Sequence, residues 1–154
     1  MHTTVPGDLR ARLVGINHVA LEVSDVDAAV VFYGKIFSFE VMRRTSDAAF
    51  ITMGDQFLAL IASETPHRDE HRHFGLVVDN RSTVRTLAAA AGATMIESRF
   101  LDFLDPWGNF IQVVEYRDIQ FTKTAEVLKG MGLVDLAKPV GAIAELRKKG
   151  MAPI

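Results

Sequence analysis

Two short segments carry the clearest pattern in the chain: INHVALEV at residues 16–23 and HFGLVV at residues 73–78. In both, apolar side chains alternate with polar or small ones, which is typical of a β-strand with one buried face. Each segment has a histidine at or near its start, and aligning the segments places His18 on His73. This correspondence indicates an internal repeat.

The elements predicted after each segment come in the same order. Helix-capping residues follow both segments, at 24–27 and 79–80. The predicted helices cover residues 28–36 and 81–91. Three strands are predicted after each helix, at 39–42, 49–53, 57–62, 94–98, 100–104 and 109–116. The sequence therefore predicts an α+β fold made of two βαβββ modules, followed by two short helices at 122–131 and 139–149.

The composition is that of one globular domain. The chain has 154 residues, 49% of them hydrophobic and 23% charged, and a net charge of -2, which does not favour a nucleic-acid partner. No stretch approaches the roughly 20 apolar residues of a membrane span, and no early apolar run has signal-peptide length. The lack of cysteine excludes thiolate metal sites and cysteine nucleophiles and suits a cytoplasmic location.

The last predicted strand is introduced by a strong turn, so that residues 105–116 read DPWGNFIQVVEY. Together with the duplicated histidine-led strand, this segment resembles the vicinal oxygen chelate superfamily, which includes glyoxalase I, fosfomycin resistance proteins, bleomycin resistance proteins and extradiol dioxygenases. The resemblance implies that the paired modules form a curved open barrel, often completed across a homodimer.

The resemblance divides the chain into a leader at residues 1–13, a domain at 14–117 and a helical tail at 118–154. Within the domain, the modules cover about 14–64 and 72–117. We expect the tail to pack on the domain or on a dimer partner.

In that superfamily, metal ligands come from the first and fourth strands of each module. Carried onto this chain, those positions are His18, His73, Ala59 and Gln112. Ala59 and Gln112 stand where the metalloenzymes place glutamate or glutamine in the first module and glutamate in the second. The remaining set of two imidazoles and one amide carries no negative charge. The resemblance implies a divalent metal such as Zn, Fe, Ni or Mn, which this neutral set would hold more weakly than a His-His-Glu site.

Strand alternation gives the other candidates for the site. His18 shares a face with Ala20 and Glu22, and Glu22 is a candidate base. Glu115 alternates away from Gln112 and becomes a fourth ligand only if a bulge shifts the register. A substrate-binding apolar wall is predicted from Phe57, Ile61, Phe110, Val114 and Tyr116. Weaker candidates are His71 as a substitute ligand, Asp102 on the cavity side of its strand, and Arg43, Arg44 and Arg99 for an anionic substrate.

Two functions are consistent with these residues. The first is a metal-dependent enzyme that acts on a small oxygen-rich substrate through His18, His73 and Gln112. The second is a metal-free protein of the bleomycin-resistance type that sequesters a small molecule in an apolar cavity. The loss of the carboxylate ligands favours the second, and the matched histidines favour the first. The sequence has no glycine-rich phosphate loop, so we expect no nucleotide cofactor.

Overall fold

The computed structural model describes residues 16–151, and the leader predicted at 1–13 lies outside them. The first module consists of β1 (His18–Val23), α1 (Val26–Gly34), β2 (Glu40–Arg44), β3 (Ala48–Thr52) and β4 (Phe57–Ala62). The second consists of β5 (Phe74–Val78), α2 (Arg81–Ala90), β6 (Thr94–Ile96), β7 (Leu101–Leu104) and β8 (Phe110–Glu115). The predicted α+β fold of two βαβββ modules is confirmed.

Each module forms its own four-stranded mixed sheet. The strand orders are β1-β4-β3-β2 and β5-β8-β7-β6, so the two sheets have the same topology. In each, the first strand runs parallel to the fourth and the other pairings are antiparallel. The first strand is therefore an edge strand in both sheets, and the two sheets are not joined into a closed barrel.

The helices of the two modules, α1 and α2, begin at side-chain caps. The Asp25 carboxylate accepts a hydrogen bond from the amide of Ala28 at 2.9 Å, and the Asn80 side chain accepts from the amide of Thr83 at 3.1 Å. Because Asp25 rather than Ser24 is the capping residue, α1 starts two residues before the predicted position. Gly92 follows α2 with φ of +90°, the conformation expected of a residue that ends a helix.

One hydrophobic core joins the two modules. The helix-facing side chains of both sheets are nearly inaccessible to solvent, including Val23, Leu60, Phe103, Ile111 and Val113. Burying a side chain of this size contributes about 1.5–3 kcal/mol each. The modules therefore pack with their helix sides together, and the opposite face of each sheet is left uncovered by helices.

The turn between β7 and β8 fastens the second module to the first. The indole N–H of Trp107 donates to the Ser24 hydroxyl at 2.7 Å, and the Asn109 amide donates to the carbonyl oxygen of Glu22 at 2.8 Å. The Tyr33 hydroxyl donates to the Asp105 carboxylate at 2.7 Å. The turn predicted from sequence is thus also the main polar contact between the modules.

A 3-10 helix (Tyr116–Asp118) connects β8 to the tail, which contains α3 (Ala125–Gly130) and α4 (Val140–Lys148). The tail contacts the turn between β3 and β4, where Lys123 pairs with Asp55 and the Met131 side chain lies against Gly54. The Lys138 ammonium donates to the carbonyl oxygens of Tyr116 and Ile119. Between residues 16 and 151, none of the helices has the length and apolar character needed to cross a membrane.

Candidate functional site

Each sheet has a face directed away from its helix, which we call the open face. On β1, the residues His18, Ala20 and Glu22 are exposed, whereas Leu21 and Val23 are buried against the helix. On β5, Gly75 is exposed and its neighbour Leu76 is buried. This alternation is the one predicted from sequence, and it places His18 and Glu22 on the open face of the first sheet.

Both histidines stand against a phenylalanine at the start of the fourth strand. The His18 ring stacks on Phe57, with centroids 4.6 Å apart and planes within 6°. The His73 ring lies 5.5 Å from the ring of Phe110 in a tilted arrangement. Because His18 is paired in register with Phe57, the two histidine–phenylalanine pairs occupy equivalent positions in the two modules. Phe57 and Phe110 thus form part of the surface around each imidazole.

Hydrogen bonds at Nδ1 orient the two imidazole rings. The Nδ1 atom of His18 lies 2.8 Å from the side-chain oxygen of Asn17, and that of His73 lies 3.0 Å from the backbone oxygen of His71. Since carbonyl oxygens only accept hydrogen bonds, each Nδ1 is the donor, and Nε2 is the ring atom that remains without a partner from its own strand. Histidines that bind metals usually have this second-atom hydrogen bond to an oxygen.

The sheet register identifies the residues beside the histidines. In the second sheet, one row across the open face contains Gly75, Gln112, Asp102 and Ile96. The equivalent row of the first sheet contains Ala20, Ala59, Phe50 and Arg43. Ala59 and Gln112 therefore occupy matching positions, and the first of them offers no donor atom.

The other predicted ligand and base are on different faces. Glu22 lies on the open face of the first sheet, paired in register with Ile61. Glu115 lies on the helix side of the second sheet, where its carboxylate accepts a hydrogen bond from the amide of Arg81 at 3.3 Å. The β5–β8 register continues without a bulge through Glu115, so nothing turns this side chain toward Gln112.

The predicted apolar wall is divided between two regions. Phe57, Ile61, Phe110 and Val114 lie on the open faces. Tyr116 follows β8, is buried, and its hydroxyl lies 3.1 Å from the Thr122 hydroxyl. It lines a cavity of about 800 Å³ beneath the tail.

That cavity lies apart from the histidines. Its walls come from the end of α1, the start of α2, β3 and the tail, and they include Phe37, Ile51, Val84 and Leu133. Neither His18 nor His73 is among its lining residues. Within residues 16–151 of a single chain, no three histidine, aspartate or glutamate side chains are grouped as a metal site would require.

The weaker candidates are also divided between the helix side and the open face. Arg44 pairs with Asp27 of α1 at 2.5 Å, on the helix side. Arg43 is paired in register with Phe50, on the open face. His71 uses its backbone oxygen to orient His73. The Arg99 guanidinium lies 5.7 Å from the centroid of the Phe100 ring. Of the three arginines predicted for an anionic substrate, Arg43 is the one in the open-face row that contains Ala59.

Two residues that contact the open-face rings were absent from the predicted site. Asn17 orients the His18 ring, and its position directly before the histidine in the sequence is a signal that could have identified it. Phe50 packs edge-on against Phe57 with centroids 5.8 Å apart. Its place depends on the β3–β4 register, which the sequence pattern alone does not give.

The strongest electrostatic perturbation lies at the junction between the modules. Burial raises the pKa of Asp105 above its usual range, although hydrogen bonds from Tyr33 and Asn109 oppose this shift. Burial and the nearby Asp105 carboxylate raise the pKa of Tyr33 well above its ordinary value. Both groups hold the modules together and neither lies on an open face.

Comparison with known proteins identifies relatives of this chain. It is 25% identical over 113 residues to the glutathione transferase FosA of Serratia marcescens, which covers 66% of this chain and 80% of that protein. It is 28% identical over 114 residues to the metallothiol transferase FosB of Shouchella clausii, covering 64% of this chain and 78% of that protein.

Among solved structures, the chain resembles the fosfomycin resistance protein FosX of Listeria monocytogenes complexed with Mn(II) and sulfate. The TM-score is 0.60 at 16% identity, covering 78% of this chain and 99% of that chain. A lactoylglutathione lyase from Agrobacterium tumefaciens matches with a TM-score of 0.56 at 22% identity, covering 72% of this chain and 100% of that chain. At these identities the likeness shows the fold.

A family model provides the assignment. The model of the Glyoxalase/Bleomycin resistance protein/Dioxygenase superfamily matches residues 15–113, which include His18, His73 and Gln112 and both modules except the last two residues of β8. The resemblance seen in the sequence is therefore confirmed at the level of the superfamily. With the two repeated sheets and the paired histidines, this match shows that the chain belongs to the glyoxalase/bleomycin resistance/dioxygenase superfamily.

Proposed function

We propose that the protein is a divalent-metal-dependent enzyme that acts on a small oxygen-rich substrate. His18, His73 and Gln112 would hold the metal. The observation that carries this proposal is the shared orientation of the imidazoles. Each Nδ1 is engaged by an oxygen, at 2.8 Å and 3.0 Å, and each Nε2 is left available as a ligand.

The site would be completed by a second copy of the chain. Each sheet in a single chain has an open face that no helix covers, and its histidine-led strand lies at or beside a sheet edge. In a symmetric homodimer, the open face of the first sheet of one copy would meet that of the second sheet of the other. His18 of one copy would then share a site with His73 and Gln112 of the other.

A bound divalent metal would supply Lewis acidity toward oxygen atoms of the substrate. The chain's own residues would do the rest. Glu22, on the open face of the first sheet, is the group available to accept a proton. Arg43 would hold an anionic group of the substrate, and the rings of Phe57 and Phe110 would form apolar walls beside it. The transferase names of FosA and FosB and the Mn(II) in the FosX complex support metal-dependent chemistry on small molecules.

A second candidate function is metal-free binding of a small molecule. Two observations favour it. Ala59 replaces one ligand position with a side chain that has no donor atom, and the cavity of about 800 Å³ beneath the tail is largely apolar. In this alternative an organic ligand would occupy the cavity beneath the tail, apart from the histidines, and there would be no turnover.

Metal analysis of the purified protein separates the two functions. We expect protein prepared without an affinity tag to contain a stoichiometric divalent metal, and His18→Ala and His73→Ala each to lose it. His67→Ala is the matched control, because His67 is an exposed histidine in the segment between the modules and should leave the metal content unchanged. Metal-free wild-type protein that still binds hydrophobic dyes would instead establish the sequestration function.

A further inference from the structure

A buried carboxylate oxygen without a partner points to a cation that the site receives. Asp102 is 5% exposed, and its Oδ1 is buried without any hydrogen-bond partner. Across residues 16–151, no other buried side-chain nitrogen or oxygen is left in this state. An isolated carboxylate in such a position is costly, so buried carboxylates are normally paired or bound to metals.

The register places Asp102 beside Gln112. The two residues are directly paired between β7 and β8, and Asp102 is also paired with Ile96 on β6. Its neighbours Leu101 and Phe103 point into the core, so the Asp102 side chain lies on the open face. Directly opposed side chains in antiparallel strands have Cβ atoms about 4.5–5.5 Å apart. The carboxylate is therefore next to the ligand position whose usual charge is missing.

No described lysine, arginine or histidine pairs with the Asp102 carboxylate. Asp102 forms no ion pair with any lysine, arginine or histidine of residues 16–151, whereas the other buried aspartate, Asp105, accepts hydrogen bonds from Tyr33, Trp107 and Asn109. The difference separates a carboxylate that is structurally satisfied from one that is not. The unsatisfied one lies on the open face.

We propose that Asp102 is the anionic ligand of the cation site, supplying from β7 the negative charge that Gln112 lacks on β8. This inference rests on the proposed metal-dependent function and names a further residue of its site. The donor set becomes two imidazoles, one amide and one carboxylate. A carboxylate oxygen also makes the set better suited to Mn²⁺ than the neutral donors alone.

Titration of the metal-free protein with Mn²⁺, followed by calorimetry and by electron paramagnetic resonance, tests the proposal. We expect Asp102→Asn to weaken Mn²⁺ binding by about 10–100-fold. Asp102→Glu should retain part of the affinity. In the Asp102→Asn background, Gln112→Glu should restore binding, because it returns a carboxylate to the adjacent strand. Glu97→Gln is the control, since Glu97 is an exposed acid just after β6.

The stability of the metal-free variants distinguishes a ligand from a structural residue. A buried carboxylate ligand that lacks its cation lowers the stability of the folded state. Metal-free Asp102→Asn should therefore unfold at the same or a higher temperature than the metal-free wild type. Lower stability of that variant would assign Asp102 a structural role and overturn the inference. Unchanged Mn²⁺ affinity in Asp102→Asn, with metal binding lost in His18→Ala, would overturn the inference but not the proposed function. A wild-type protein that binds no Mn²⁺ or other divalent metal would overturn both.

Discussion

At the scale of single residues, the protein contrasts two buried aspartates. Asp105 accepts hydrogen bonds from donors of both modules, and Asp102 has a buried oxygen that accepts no hydrogen bond from any described group. Both follow a leucine, since Asp102 is the second residue of β7 and Asp105 comes directly after that strand. What distinguishes them is their surroundings, because Asp102 points to the open face from within the strand and Asp105 lies in the turn that joins the modules.

The hydroxyl of Tyr33 is the donor that links the modules at Asp105. Replacing Tyr33 with phenylalanine leaves the ring in the core but removes the 2.7 Å hydrogen bond to a buried carboxylate. We expect the free energy of unfolding to fall by about 1–3 kcal/mol. Urea denaturation at neutral pH measures the change. An unaltered midpoint would show that the carboxylate finds another donor.

The pH dependence of stability should reveal Asp105 itself. Burial raises the pKa of Asp105, so the folded state holds this proton more tightly than the unfolded state. Its stabilising contribution is fully present below the unfolded pKa of about 3.9 and is lost as pH rises through the raised folded pKa. The free energy of unfolding of wild type relative to Asp105→Asn should therefore decrease as the pH is raised from about 4 to about 7. Urea titrations of both proteins across this range would contradict the interpretation if the difference stayed constant.

Single residues also show how far the candidate site could be predicted. The period of two along β1 correctly assigned His18 and Glu22 to one face, because alternation is a local property of a strand. The same rule placed Glu115 on the other face of β8 from Gln112, and the continuous β5–β8 register agrees with this. The role of Asn17 and the position of Phe50 depend on side-chain hydrogen bonding and on pairing between strands, which no local pattern contains.

At the scale of the elements, the glycines in turns differ in how much space surrounds them. Gly92 and Gly108 both have φ near +90°, where a side chain is strained. A Cβ at Gly92 would meet nothing within 4 Å, but a Cβ at Gly108 would come within 2.6 Å of the Arg68 Cα. The β7–β8 turn therefore lies directly against the backbone of the segment between the modules.

This difference predicts unequal costs for the same substitution. We expect Gly92→Ala to destabilise the protein by about 1 kcal/mol, the cost of the left-handed backbone alone. Gly108→Ala should cost clearly more, because the Arg68 backbone must also move. Thermal unfolding of the two variants side by side measures the contribution of the contact between Gly108 and Arg68. Equal losses of stability would mean that the segment around Arg68 moves without cost.

Most element boundaries could be predicted because each is set by neighbouring residues. The strand at 57–62 and the cap at Asn80 are examples in which periodicity or a single side chain determines the end, whereas the cap of α1 is Asp25 and not the predicted Ser24. The strand predicted to continue to Tyr116 instead ends at Glu115. There the chain enters the 3-10 helix, and the carbonyl oxygen of Tyr116 accepts a hydrogen bond from the Lys138 ammonium. This contact comes from a residue 22 positions later in the sequence.

At the scale of the whole molecule, the sequence could not predict how the sheets are placed. The repeat gives two equal modules but does not say which faces meet. The structure packs them through their helix sides, since the bulky alternating residues of both sheets form one core. His18 and His73 consequently belong to different sheets, each with an open face.

A homodimer should depend on those open faces. We expect the wild-type protein to sediment as a dimer, and Ile61→Arg to shift it toward the monomer, because Ile61 lies on the open face and is 36% exposed. Val140→Arg is the control, at a side chain that is 85% exposed at the start of α4. Sedimentation velocity at several concentrations measures both. A monomeric wild type would remove the shared site from the proposed function.

The β7–β8 turn determines whether the two modules of the repeat could replace each other. It docks on Ser24, on the carbonyl of Glu22 and on Tyr33, whereas the equivalent β3–β4 turn is covered by the tail. Counting from the helix caps, the position of Tyr33 in the first module is taken by Ala88 in the second. A chain engineered by joining two copies of the second module would therefore carry two such turns, each facing an alanine at the position of Tyr33. The two halves share one topology, but neither can replace the other.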